Sequence, residues 1–97
     1  MQLLAAIMQP FLIDRATRAL RAHKITEYTI IKLQGAHKEL GADQVHYAKE
    51  MAKLELPVSD ADAQRIVQLI REATTHQEVS DTVIWTIPML IYDTGDL

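Results

Sequence analysis

The side chains in this chain best suited to chemistry are four histidines and a scatter of carboxylates. His37 and His46 share one polar stretch with Glu39, Asp43 and Glu50 close by. A histidine and carboxylate set of this kind can hold zinc, copper or nickel. The spacing matches no defined ligand motif, so solvated loop histidines are the expectation and a metal set at His37 and His46 is the alternative. No Gly-x-Gly-x-x-Gly, P-loop, nucleophile elbow or His-Glu-x-x-His occurs, and no two carboxylates are placed for acid/base work. The chain has no cysteine, which removes disulfides, thiolate nucleophiles and Cys-based zinc sites. Catalysis is therefore not expected. Arg15, Arg18 and Arg21 form a basic helical face, read as solvated surface before a dock for an anionic partner. His23 ends the same helix, where a cation suits the dipole, and Asp14 is a candidate cap.

The elements that must position these residues follow from periodicity. In Leu3–Met8 both alternating sets are apolar, which suits a central strand covered on both faces. Pro10 stops it, and Ala16, Ala19, Leu20 and His23 then recur at helical spacing. A β-branched second strand runs from Tyr28 to Leu33 and ends at Gly35, with a loop over roughly 36–47. Ala52, Leu54, Leu56 and Val58 share one face of a third strand, whose regular pairing is expected to end at Pro57. Ser59-Asp60-Ala61-Asp62 has the Ser-x-x-acid capping pattern, and Ala63, Ile66, Val67, Ile70 and Ala73 follow as a helical stripe. After a polar loop over 74–82, Val83–Ile91 closes the chain as a strand with a possible bend at Pro88.

The order β-α-β-β-α-β predicts an α+β, ferredoxin-like split βαβ fold: a four-stranded antiparallel sheet with both helices on one face. The other face stays bare, yet several strands carry apolar residues on both sides. Trp85 fits core or interface better than a ligand platform, and the four methionines read as packing. An exposed apolar sheet face predicts self-association.

At 97 residues the chain is one domain, 1–97. Its net charge of -3 and lack of a sustained basic stripe argue against nucleic acid as a partner. Leu3–Met8 is far shorter than a membrane span and no signal-peptide pattern opens the chain, so a soluble, cytoplasmic protein is expected.

Leu3–Gly35, and above all Gln9-Pro10-Phe11 with its spacing to Gly35, resembles the opening of the PII signal-transduction proteins, which usually have Lys-Pro-Phe there. Lys53-Leu54-Glu55 and Ile87-Pro88 extend the resemblance over nearly the whole chain. It implies a homotrimer, with the bare sheet faces at its centre, that binds ATP or ADP between subunits. The family does so with a segment after strand two, a Thr-Gly-x-x-Gly-Asp-Gly-Lys loop before strand four, and an Arg-x-Arg-Thr-Gly tail. On this resemblance Gly35, Ala36, His37, Lys38 and Glu39 form the first part of a nucleotide or anion site. Glu39 replaces a glutamine that supports magnesium and 2-oxoglutarate, and a carboxylate there repels a dicarboxylate. His76, Ser80, Asp81, Thr82 and Val83 fall on the threonine, glycine, aspartate, glycine and lysine of the second loop. Only Asp81 is kept, so the site set from this loop is His76, Asp81 and Thr82. Thr94-Gly95 persist in the tail, but Ile91 and Asp93 replace its two arginines.

Three phosphate-facing cations are thereby missing, each worth about 1.5 to 3 kcal/mol. With incomplete additivity the loss is about 2 to 4 kcal/mol, on the order of a 30- to 1000-fold weaker Kd for ATP. A less charged nucleotide such as AMP or ADP, or a small anion, could still use backbone donors near Gly35 and the Lys38 side chain. The long loop is shorter than the family's and its modifiable tyrosine is missing, Tyr47 being no clear equivalent. Uridylylation and insertion into an ammonium channel are therefore not expected. The resemblance implies a signalling protein of nitrogen-regulation type, sensing a small effector and regulating a transporter or an enzyme. A metal-binding module of the same shape and a small ferredoxin-like enzyme, such as an isomerase or oxygenase, are the alternatives.

Overall fold

The computed structural model describes residues 1–37, 47–78 and 80–92. Strand β1 (Gln2–Met8) runs into a 3-10 turn (Pro10–Leu12) and helix α1 (Ile13–Ala22). Strands β2 (Thr29–His37) and β3 (Tyr47–Val58) precede helix α2 (Ala63–Thr74) and strand β4 (Val83–Pro88). The strands form one sheet in the order β2-β3-β1-β4, every neighbouring pair antiparallel. This is the split βαβ arrangement predicted from the order of elements.

The core lies between sheet and helices. Leu4, Ala6 and Met8 of β1 and Leu54 and Leu56 of β3 pack with Ala16 and Leu20 of α1 and with Ile66 and Ile70 of α2. Register makes this possible: Leu4 stands opposite Leu56 and Ala6 opposite Leu54, so apolar positions of period two meet on one face. Thr17 and Thr74 are buried on the helices, and each hydroxyl donates to a carbonyl one turn back, Ile13 at 3.0 Å and Ile70 at 2.9 Å. On the opposite face Val83, Trp85 and Ile87 of β4 and Ile31 of β2 remain 59%, 37%, 49% and 37% exposed. None of them belongs to the core cluster that the helices cover. Ala5 on this face is buried because its register partners, Glu55 and Trp85, close over it. Lys53 pairs with Glu55 at 2.7 Å and lies 5.8 Å from the centroid of the Trp85 ring.

Several boundaries differ from expectation. The β2–β3 ladder continues to His37 opposite Tyr47, so the loop expected over 36–47 narrows to 38–46, which lies outside the described residues. A ladder is built from backbone groups, and mixed side-chain polarity does not end it. Pairing also continues through Pro57, opposite Leu3. The β2–β3 pairing reaches only Thr29 opposite Glu55, so at Pro57 β3 is paired on one side only, the setting in which a strand tolerates proline. β4 ends at Pro88 instead of continuing to Ile91.

Asp14 does not cap α1: the 3-10 turn leads straight into the helix, the cap position is Leu12, and Asp14 pairs with Arg18 one turn further along. Ser59 does not cap α2 either: the cap position is Asp62, without a side-chain cap bond, and the Ser59 hydroxyl accepts from the Asp62 N–H at 3.2 Å in the turn that leads into the helix. Asp60 in the same turn accepts from the Met1 ammonium and Gln2, which hold its carboxyl below the usual range. No helix among the described residues is long and apolar enough to cross a membrane.

Candidate ligand cleft

Where β1 ends, Gln9 keeps an extended backbone and Pro10 turns the chain at once into the 3-10 helix. That sharp exit presents Gln9, Phe11 and Leu12 on one side. Thr74, His76 and Gln77, from the end of α2 and just after it, face them with Asp81, and the seven residues line a cleft of about 270 Å³. Across it the Gln9 amide Nε2 donates to Asp81 Oδ2 at 2.6 Å. Phe11 is 62% exposed, an unusual state for phenylalanine, and gives the cleft a planar apolar wall.

The segment after α2 is shaped by two backbone features. Gln77 and Glu78 adopt φ of 49° and 65°, left-handed values that cost an L-residue with a Cβ roughly 1 kcal/mol or more each. Arg71 reaches across from α2, donating from Nη1 to the Thr82 carbonyl at 2.6 Å and to Ser80 Oγ at 3.2 Å. The Ser80 hydroxyl also accepts from the Thr82 N–H at 3.4 Å. Asp81 is thus held between two anchored neighbours. Replacing Arg71 with methionine keeps an apolar stem and removes these charge-assisted bonds. We expect a loss of about 1.5 to 3 kcal/mol in urea unfolding, and an unchanged midpoint would contradict the anchoring role.

Electrostatically the cleft is one carboxylate, one histidine and two amide side chains against apolar walls, with no lysine or arginine among its described lining residues. Among the described lining residues a polyanion would meet Asp81 with no lysine or arginine beside it. A ligand with a planar apolar body and hydrogen-bond donors could stack on Phe11 and bond Asp81 and the Gln9 carbonyl oxygen.

Of the expected site residues, His76 and Asp81 come together here. Thr82 lies behind the cleft: it is 3% exposed and its hydroxyl is buried with no partner among the described residues. Gly35, Ala36 and His37 are the last residues of β2, opposite Lys49, Ala48 and Tyr47. Lys38, Glu39 and His46 lie outside the described residues. Among the described residues no three histidine or acidic side chains group as metal ligands. Sequence reasoning did not name Gln9, Phe11, Leu12, Thr74 or Gln77 as lining, nor Arg71 as a support. The available signal was Gln9-Pro10-Phe11 at a strand end, and the structure places Gln9 and Phe11 beside His76 and Asp81.

Compared with known families, residues 1–90 match the family model described as Nitrogen regulatory protein P-II. The match spans every strand and helix described above and all seven cleft residues.

Proposed function

Because the chain belongs to the nitrogen regulatory protein P-II family, we propose that this regulatory protein senses a small effector in the Gln9–Asp81 cleft and reports it to a partner protein, a transporter or an enzyme. The effector is an adenine nucleotide of low charge, AMP or ADP, or a small anion held through Gly35–Lys38. The observation that carries this reading is the hydrogen bond from Gln9 to Asp81. It leaves a neutral amide and a carboxylate where a triphosphate would need cations, while the exposed Phe11 ring supplies stacking surface for a base. His76 lines the same cleft, and with Asp81 it belongs to the proposed site, whereas Thr82, also expected there, is buried and outside the lining.

The proposed assembly is a homotrimer that buries the apolar face carrying Val83, Trp85 and Ile87. An apolar face on one side of a sheet needs a cover, and a second copy supplies an identical one. The protein is expected to act without catalysis, in the cytoplasm, and without nucleic acid.

Titration calorimetry with AMP, ADP and ATP at one ionic strength tests the ligand reading. AMP and ADP are expected to bind at least as tightly as ATP. ATP binding about tenfold tighter than AMP would overturn it, since that order requires phosphate-facing cations.

A further inference from the structure

The turn that offers Gln9, Phe11 and Leu12 to the cleft offers Pro10 and Ile13 to a separate pocket of about 200 Å³. Its other walls come from the sheet: Ile30 of β2 with Met51 and Ala52 of β3. Ile30 is 46% exposed, so this apolar surface is open to a ligand. The volume exceeds the ~150 Å³ of an apolar cavity known to admit benzene.

Two opposite charges complete the lining. Lys32 stands opposite Ala52 and Glu50 opposite Gln34, so the pair occupies a diagonal across β2 and β3 on the face that carries Ile30 and Ala52. Both residues are exposed, and no ion pair joins them among the described residues.

We infer that this pocket is a second ligand site, for a small zwitterion with an aliphatic body: an α-amino acid with a branched apolar side chain. The apolar walls take the side chain, Lys32 takes the carboxylate and Glu50 takes the ammonium group. A ligand carrying only one charge would leave the other protein charge partly desolvated beside an apolar group, which is unfavourable. The walls exclude a polyphosphate for the same reason. The pocket sits on the two strands that lead into and out of residues 38–46, so its occupant would bear on the same two strands. It shares no lining residue with the Gln9–Asp81 cleft.

The test is calorimetry on the full chain with L-leucine, 4-methylpentanoate and 3-methylbutylamine, repeated on Lys32→Gln and Glu50→Gln. Both substituted residues are exposed, so folding should be preserved, and AMP titration of the same variants reads the other cleft independently. L-leucine is expected to bind at roughly millimolar Kd or tighter. Each single-charge analogue, and each variant with L-leucine, should be weaker by about tenfold. Absence of heat with L-leucine at several times that concentration would overturn the proposal. So would analogues that match L-leucine, or L-leucine binding that is unchanged in both variants.

Discussion

Ile87→Asp is expected to leave the protein monomeric at concentrations where the unsubstituted chain is associated. Ile87 stands opposite Leu3 in the β1–β4 ladder, with Val83 and Trp85 on the same face of the strand. It is 49% exposed and lies outside the core cluster that the helices cover. A carboxylate there costs an isolated chain little, because water still reaches it. In an assembly that buries the face, the charge would be desolvated among apolar groups at a cost of several kcal/mol. With about 3 kcal/mol lost per contact, the association constant falls on the order of 100-fold. Sedimentation velocity at micromolar concentration reads this directly, and far-ultraviolet circular dichroism should show the fold retained. A variant that sediments like the parent would mean that assembly uses another surface. A parent chain that is itself monomeric at micromolar concentration would remove the trimer altogether.

The second large effect is expected at Leu54. Its side chain is fully buried, with Ala6 on one side and Ile30 on the other, and it sits in the cluster that joins β1, β3 and both helices. Leu54→Ala deletes buried carbons and leaves a cavity that paired strands cannot collapse around, so a loss of about 3 to 5 kcal/mol is expected. Against a total stability of roughly 5 to 15 kcal/mol, that is a large fraction. For a domain of this size it corresponds to a fall in Tm of about 15 °C or more at fixed protein concentration. A fall of only a few degrees would mean that the helix layer repacks over the gap.

Much of this architecture was legible before any coordinates. Leu3–Met8 with apolar residues on both faces announced the strand that becomes the inner β1, paired on both sides. Ala63, Ile66 and Ile70 announced a helix whose stripe is the one that is buried. Periodicity works for these because burial selects side chains one by one. It fails for the β2–β3 ladder beyond Leu33 and before Ala52, where Gln34-Gly35-Ala36-His37 and Tyr47-Ala48-Lys49-Glu50 show no alternation of apolar and polar residues and the pairing rests on the backbone. The Asp14 cap failed for another reason: a 3-10 turn already led into the helix, so the cap position fell on Leu12.

The cleft was legible only in part. His76 and Asp81 could be placed through resemblance, but the bond from Gln9 joins residues 72 positions apart and has no local signature. Arg71 reads in sequence as an ordinary helix-end arginine, and its grip on Ser80 and Thr82 exists only once β4 lies beside β1. The pocket carrying Lys32 and Glu50 is likewise a sum over a turn, a helix start and two strands. None of its residues forms a motif on its own.

At the centre of this account is the proposal that the cleft of this P-II family chain, with an amide and a carboxylate across it, disfavours highly charged nucleotides. The most direct test is the ratio of ATP to AMP affinity in the parent chain and in Gln9→Lys. That substitution puts an ammonium group beside Asp81 at the mouth of the cleft. The account predicts a ratio of about one or below in the parent and a rise of about tenfold in Gln9→Lys, the effect of one charge-assisted contact to phosphate. A parent that already prefers ATP by tenfold, with a ratio unmoved by Gln9→Lys, would contradict it.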